Sequence, residues 1–257
     1  MLATAPVRSS NPDHGIVSSP GGEPAGHATS PSATAGFSHE WEERYRESTH
    51  LSIWPWSDLV SLTHRHASPK AGFRRVLELG CGAGANIPFY LALGCEYHAI
   101  EGSLSIVRTL RGSFPDIASQ LLCGDFTFAL PQTDASIDLV VDRASITHND
   151  TLSVKAALRH AARVLRPGGK FIGVDWFSTE HEDSQRGTAV DAHTRRDIDS
   201  RNFGGVGQVH FSDEAHLLSL FSAAGFEIEV LQHKVHDHRI GGHGAHFASW
   251  NLVAVKG

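Results

Sequence analysis

The chain has 257 residues, a formal net charge of −6 with the histidines neutral, and 40% hydrophobic residues. Such a length and composition predict one soluble globular domain with a large core, accompanied by a tail. The weakly acidic balance gives no general attraction to nucleic acid or to anionic lipid. Because no apolar run reaches membrane-spanning length and no secretory leader is visible, we expect neither a nucleic-acid partner nor a membrane partner.

The cysteines and histidines bear on redox compartment and metal binding. Cys81, Cys95 and Cys123 form neither a CxxC pair nor a zinc-ligand spacing. An odd, scattered set of cysteines is typical of a reducing compartment, so we predict a cytoplasmic location. Many of the eighteen histidines fall late in the chain. We interpret them as pocket-lining and solvated side chains and expect no metal site, although a pair such as His236 and His238 would suit a metal on a strand.

The first 72 residues divide into two segments. Residues 1–36 are rich in Pro, Ser, Gly, Ala and Thr, and this composition predicts a disordered tail. Residues 37–72 are predicted to contain helices at 39–45 and 56–65, and they hold an unusual concentration of aromatic side chains. These aromatics are Trp41, Tyr45, Trp54 and Trp56.

From residue 73 to the end, apolar strands alternate with amphipathic helices. Strands are predicted at 75–79, 96–101, 119–123, 137–142, 170–175, 227–231 and 250–256. Helices are predicted at 85–92, 103–111, 151–165 and 213–223. This alternation predicts an α/β fold with a mostly parallel sheet covered on both faces, and the last two strands have no helix between them, which favours antiparallel pairing. Residues 177–211 interrupt the pattern and are predicted to be either disordered or a cap over a substrate.

The most informative segment is the glycine loop after the first strand, which reads VLELGCGAG over residues 76–84. Gly80 and Gly82 can adopt backbone angles closed to other residues and allow a ligand close to the main chain. The loop lacks the Gly-Lys-Ser/Thr of a phosphate-binding loop and the GxGxxG of a dinucleotide fingerprint. Glu78 would repel a pyrophosphate and would favour a ligand that carries an ammonium or sulfonium group.

These residues resemble the class I S-adenosylmethionine-dependent methyltransferase family. Glu78-x-Gly80-x-Gly82-x-Gly84 matches the first motif of the family, and later motifs follow in order at Glu101, at 123–126 and at 165–169. The resemblance implies a Rossmann-like fold with a seven-stranded, mostly parallel sheet, and S-adenosylmethionine as the cofactor.

The resemblance also implies roles for single residues. Glu101 would accept hydrogen bonds from the ribose hydroxyls, Asp125 would bind the adenine amino group, and Phe126 would pack on the adenine ring. Trp41 and Tyr45 would form an N-terminal lid over the cofactor; burial of these aromatics on the sheet is the alternative. The whole predicted cofactor site consists of Trp41, Tyr45, Glu78, Gly80, Cys81, Gly82, Glu101, Gly102, Ser103, Asp125, Phe126, Asp142 and Arg143.

The loop over residues 142–150 follows the fourth strand, where the substrate should enter a parallel sheet. His148 is the candidate base because imidazole titrates near neutral pH; the alternative is a surface histidine ahead of a helix capped by Asp150. Asp142 and Arg143 are expected to contact the cofactor or brace the loop. Segment 177–211 resembles a substrate cap, which implies that Arg195, His210 and His236 face the acceptor.

The sequence therefore predicts methyl transfer from S-adenosylmethionine to an oxygen or nitrogen of a polar small molecule, with a sugar or glycan precursor as the suggested class. Three alternatives stay open: a non-catalytic S-adenosylmethionine-binding module, a protein methyltransferase and a nicotinamide-dependent oxidoreductase. The sequence does not indicate an oligomeric state.

Overall fold

The computed structural model describes residue 40, residues 52–240 and residues 246–257. Within these ranges the main element is a seven-stranded sheet with the strand order β3-β2-β1-β4-β5-β10-β9. Its strands are β1 (Arg75–Leu79), β2 (Glu96–Glu101), β3 (Leu121–Cys123), β4 (Ile137–Arg143), β5 (Leu165–Phe177), β9 (Phe226–Asp237) and β10 (His246–Lys256). The helices are α1 (Ser57–His66), α2 (Ile87–Ala92), α3 (Leu104–Ser113), α4 (Thr151–Val164) and α5 (Glu214–Ala223).

The strands bury side chains on both faces of the sheet, and the residues alternate between the faces with the period of two that a strand imposes. Leu77 and Val140 belong to an apolar cluster that includes residues of α4 and α5. Val76 and Leu139, which are their chain neighbours, belong to a second cluster with residues of α1, α2 and α3. Helices therefore cover both faces, as the continuous apolar strands predict.

The pairing of the strands confirms the predicted fold class. Strands β1 to β5 pair in parallel, whereas β10 pairs antiparallel with both β5 and β9. The expectation of an antiparallel pair at the end of the chain is therefore correct. Parallel pairing places the carboxyl ends of β1, β2, β4 and β5 at one edge of the sheet, which is where ligands bind in folds of this type.

Five predicted strands differ in length from those observed. Strand β4 is one residue longer than predicted, and β5 extends at both ends, to Leu165 and Phe177. Strand β3 begins at Leu121 because the residues Pro115–Gln120 form a 3-10 helix. The last two strands extend beyond their predicted ends and form a long hairpin that reaches Asp237 and starts again at His246. The added residues of β9 are mostly polar and exposed, so they do not show the apolar pattern from which strands were predicted.

Segment 177–211 is folded, so the disordered alternative is wrong for it. It contains a small antiparallel sheet of β6 (Thr188–Ala189), β7 (Thr194–Arg196) and β8 (Gln208–His210). A third apolar cluster joins this segment to the main sheet; it contains Ala144, Phe177, Ile198, Phe203, Val206, Val209 and Phe211. Among the described residues, no helix has both the length and the apolarity that crossing a bilayer requires.

Candidate functional site

The glycine loop leaves the buried end of β1 and turns sharply beside β2. Gly80 has a φ of 67° and Gly82 a φ of 50°, in the left-handed region that glycine adopts without cost. The N–H of Gly80 donates to the carbonyl of Ile100 (2.8 Å), and the N–H of Gly82 donates to Oε2 of Glu101 (2.8 Å). The helix that follows begins at Ile87 rather than at the predicted Ala85, so the loop is longer than the pattern indicates.

Glu78 lies under this loop and is 2% exposed. Its carboxylate accepts hydrogen bonds from Asn86 Nδ2 (2.8 Å) and from the hydroxyl of Tyr97 (2.5 Å). Burial raises the pKa of Glu78 to about 7, and the charges of Asp142 and Glu101 act in the same direction. Burial also raises the pKa of Asp142 to about 6. A bound cation would favour the ionised form of both groups.

From the raised pKa of Glu78 we predict how the stability of the protein changes with pH. Because the folded state holds this proton up to about pH 7, ionisation of Glu78 lowers the free energy of unfolding as pH rises from 5 to 8. In Glu78→Gln this loss is absent, so the variant should gain about 3 kcal/mol relative to the wild type over that interval. Urea unfolding at both pH values measures the difference.

Glu96→Gln is the control for this prediction. Glu96 is exposed, and the hydrogen bond from His98 lowers its pKa, so its substitution should not produce a gain with rising pH. If the free energy of unfolding changed equally with pH in Glu78→Gln and in the wild type, the pKa of Glu78 would not be raised in the folded protein.

Glu101 joins the ends of β1 and β2. One carboxylate oxygen accepts from Gly82 in the glycine loop, and the other accepts from the N–H of Ser103 (2.9 Å). The hydroxyl of Ser103 accepts from Ile106 and caps α3. Ser103 is therefore a buried structural residue, whereas Glu101 and Gly102 line the cavity described below.

The loop after β4 is held by a fully buried carboxylate. Asp142 accepts hydrogen bonds from the N–H of Ile146 (3.0 Å), from the hydroxyl of Ser145, and from Trp176 Nε1 (2.7 Å). Since both oxygens are used within the protein, Asp142 braces the loop, which is one of the two roles expected for it. Asp150 accepts from the N–H of Ser153 (2.8 Å) and caps α4 as expected.

His148 lies at the end of this loop, in a 3-10 turn at Ile146–His148. Its Nδ1 is 3.1 Å from the carbonyl oxygen of Gln208 on β8. A carbonyl can only accept, so Nδ1 carries the proton of the neutral ring and Nε2 carries the lone pair. The ring also contacts the Phe177 ring edge-on, with 5.7 Å between centroids. The histidine therefore has a defined tautomer and a defined orientation.

These loops surround a cavity of about 570 Å³ at the carboxyl edge of the sheet, a typical volume for a small-molecule pocket. Among the predicted site residues, those that line it are Glu78, Gly80, Cys81, Gly82, Glu101, Gly102, Phe126, Arg143 and His148. The structure thus brings the glycine loop, the predicted adenine-stacking residue and the candidate base to one cavity.

Other predicted cofactor residues do not line this cavity. Asp142 and Ser103 are buried behind it, and Asp125 is adjacent to the lining residues Gly124 and Phe126. The carboxylate of Asp125 accepts from the N–H (2.8 Å) and the hydroxyl (2.6 Å) of Thr127. Trp41 and Tyr45, predicted as a lid, lie outside the described residues.

Two of the three predicted acceptor contacts, His210 and Arg195, need correction. His210 is fully buried, with Nδ1 3.0 Å from the hydroxyl of Thr194 and Nε2 3.1 Å from Nε2 of His216, so it packs inside segment 177–211. The guanidinium of Arg195 donates to the carbonyl of Ser184 (3.3 Å), away from the cavity. His236 lines a second cavity of about 500 Å³ beside the first and contacts the ring of Phe247, so its contact with the acceptor stays a prediction. Within the described ranges, no three His, Cys, Asp or Glu side chains are placed to share a metal ion.

A charged network between the two cavities was not predicted from the sequence. Asp175 has a φ of 57° and pairs with Arg143 (3.2 Å) and Lys234 (3.0 Å), and Lys234 also pairs with Asp58 of α1. The Arg143 guanidinium lies 3.5 Å from the ring centre of Trp56. The position of Asp175 at the carboxyl end of a parallel strand is the one signal that could have indicated it.

Asn86 is a second functional candidate that the sequence did not indicate. Its Nδ2 is bonded to Glu78, and its Oδ1 is buried without a protein partner at the cavity wall. A buried amide oxygen without a donor is unusual in folded proteins. An ammonium or hydroxyl group on a bound ligand would satisfy it.

Comparisons with known proteins agree on the family. Residues 77–173 match the model of a methyltransferase domain. The chain is 33% identical over 99 residues to a demethylmenaquinone methyltransferase of Renibacterium salmoninarum, covering 38% of this chain and 40% of that protein. It is 30% identical over 128 residues to a thiol S-methyltransferase of Homo sapiens, covering 48% of this chain and 50% of that protein. The matches therefore span about half or less of these relatives.

A solved structure extends the likeness in fold. The S-adenosylmethionine-dependent methyltransferase structure from Methanosarcina mazei superposes with a TM-score of 0.60 at 17% identity and covers 79% of this chain and 99% of that chain. The matched domain contains the glycine loop, Glu101, Asp125 and His148.

Proposed function

Because the chain belongs to the class I S-adenosylmethionine-dependent methyltransferase family, we propose that it transfers a methyl group to an oxygen or nitrogen of a small molecule, with His148 as the base. The observation that carries this proposal is that His148 and the glycine loop line the same cavity. The curated relatives act on different acceptors by their names, so they support the reaction class and not one acceptor.

The buried acidic residues in and behind the glycine loop fit a cationic cofactor. Glu78 and Asp142 are buried carboxylates with raised pKa values, and Glu101 lies close enough to raise the pKa of Glu78 further. S-adenosylmethionine supplies a methyl group on a positively charged sulfur, and such a charge favours the ionised carboxylates. Glu78, Glu101, the loop glycines and Phe126 are the residues proposed to hold it, while the unpartnered Oδ1 of Asn86 would accept a hydrogen bond from it.

His148 is proposed to accept the proton of the acceptor group. The carbonyl of Gln208 fixes the tautomer, so the Nε2 lone pair is the one that can take a proton. The brace from Asp142 to the loop keeps His148 in place during the reaction. Phe177, Phe203 and Phe247 line the same cavity and exclude water from the site.

Binding and label transfer test the proposal together. Calorimetric titration should show binding of S-adenosylhomocysteine and none of NAD. Incubation with methyl-labelled S-adenosylmethionine and a panel of phenols, amino acids, sugars and nucleotide sugars should then place the label in a small-molecule product. Binding without transfer to any acceptor, including protein, would favour a binding module, and NAD binding alone would favour an oxidoreductase.

A further inference from the structure

The part of the cavity next to His148 has an aromatic wall, formed by Phe177, Phe203 and Phe247. The Phe177 ring lies edge-to-face with Phe203 (4.7 Å between centroids, 73°) and with Phe247 (6.3 Å, 83°). The imidazole of His148 meets Phe177 in the same manner. The candidate base and the three rings therefore form one set of side chains around the space where an acceptor would bind.

The aromatic wall is supported from behind by the buried ring of His181. His181 is 2% exposed and packs against Phe203 (4.9 Å between centroids) and Phe247 (4.8 Å). Its Nδ1 accepts from the N–H of Asp183 (3.0 Å), which sets the ring orientation. Phe177 and Phe203 also belong to the apolar cluster that joins segment 177–211 to the main sheet.

Two polar side chains beside the wall, Asn149 and Arg143, are already bonded within the protein. The amide of Asn149 donates to the carbonyls of Ser145 (3.3 Å) and Ile146 (3.1 Å). Arg143 is paired with Asp175 and stacked on a tryptophan. A sugar carries several hydroxyls that each need a partner on leaving water, and these side chains have few hydrogen bonds to offer it.

We infer that the acceptor is a planar aromatic compound whose ring packs against Phe177, Phe203 and Phe247 and whose hydroxyl meets His148. The inference rests on the proposed function and replaces the sugar suggested by the sequence. Aromatic rings favour edge-to-face and offset contacts with other rings, and the wall offers such contacts.

The chemistry of the base agrees with a phenolic hydroxyl. A phenol loses its proton near pH 10, as tyrosine does, whereas water holds its proton up to about 15.7 and an aliphatic alcohol resembles water. Proton transfer to an imidazole is therefore much less unfavourable from a phenol. The phenolic oxygen forms the new bond to the methyl carbon as the carbon–sulfur bond breaks with its electron pair going to sulfur, and the proton passes to Nε2 of His148.

Equilibrium binding tests the inference without requiring turnover. The protein is saturated with S-adenosylhomocysteine and titrated with 2-naphthol, with its saturated analogue decahydro-2-naphthol, and with methyl glucoside. We expect 2-naphthol to bind roughly tenfold more tightly than the saturated analogue, since several ring contacts each add a few-fold. Equal affinity of the two, or preferred binding of the glucoside, would overturn the inference.

Substitutions in the aromatic wall test whether its rings cause the tighter binding of 2-naphthol. Phe247 is half-buried at the start of β10, so Phe247→Leu removes the ring and keeps an apolar side chain. We expect it to weaken 2-naphthol binding roughly threefold to tenfold and to leave the affinity for S-adenosylhomocysteine unchanged. Phe203→Leu provides an independent second variant. Phe128, which is 84% exposed and does not line the cavity, gives the control variant Phe128→Leu.

The results separate the inference from the proposed function. Absence of S-adenosylhomocysteine binding overturns the proposed function and the inference that rests on it. Binding of S-adenosylhomocysteine with methylation of alcohols or sugars and not of phenols overturns the inference alone. Methylation of 2-naphthol, reduced by Phe247→Leu and not by Phe128→Leu, supports both.

Discussion

Replacement of His148 by Gln is expected to lower kcat by about two to four orders of magnitude, the range that a positioned general base contributes. The affinity for S-adenosylhomocysteine should stay unchanged, because Ile100 and Glu101 hold the glycine loop through the N–H groups of Gly80 and Gly82. Glutamine keeps a polar side chain that can donate to the carbonyl of Gln208, so the loop should retain its position. Single-turnover measurement of methyl transfer separates the chemical step from binding and release.

The pH profile distinguishes a base from a structural residue. If the neutral ring takes the proton, the wild-type rate falls in acid as His148 becomes protonated, and the variant loses this dependence. A slow variant with an unchanged acid limb would indicate that His148 only supports the loop. His64→Gln on the exposed side of α1 is the control, and it should not alter the rate. Unchanged turnover in His148→Gln at every pH would exclude the proposed role.

The fold and the cofactor loop could be predicted from the sequence because their signals are local. An apolar strand, a turn that needs positive φ at Gly80 and Gly82, and a following helix lie within a few residues of one another. The alternation of strands and helices then fixes a mostly parallel sheet and the edge at which ligands bind. These patterns do not depend on how distant segments pack.

The acceptor side could not be predicted in the same way because its contacts join distant parts of the chain. The aromatic wall takes one ring from β5, one from segment 177–211 and one from β10. His148 meets Gln208, 60 residues away, and no periodic pattern links the two. His210 fits a polar pocket by residue type, yet the fold of segment 177–211 buries it against Thr194 and His216.

Glu78, the carboxylate proposed to face the cationic ligand, shows both what the sequence could predict and what it could not. Glu78 was identified from its position before the glycines, and the structure shows it beside the cavity. Asn86, which immediately precedes the next helix, and Tyr97 on β2 donate hydrogen bonds to it and hold the carboxylate in place. The motif therefore predicts a functional carboxylate at Glu78. The raised pKa of Glu78 depends on its burial, which the motif does not predict.

Gly80→Ala is expected to be the most damaging single substitution in the cofactor loop. A Cβ atom at Gly80 would overlap Cβ and Oγ of Ser145, whose hydroxyl is bonded to the loop-bracing Asp142. The positive φ of 67° adds the strain of a left-handed backbone. Together these effects should cost about 2–5 kcal/mol of stability. Where the protein still folds, displacement of the loop should abolish measurable binding of S-adenosylhomocysteine.

Gly94→Ala separates backbone strain from steric overlap. Gly94 has a φ of 71°, and an added Cβ would meet no atom within 4 Å, so only the strain of about 1–2 kcal/mol is expected there. Adding Ser145→Gly to Gly80→Ala removes the overlapping atoms, and the double-mutant cycle should show a favourable coupling between the two sites. Additive losses of stability in that cycle would mean that Ser145 does not pack against the glycine loop. Equal losses of stability in Gly80→Ala and Gly94→Ala would mean that the loop tolerates a side chain at its first glycine.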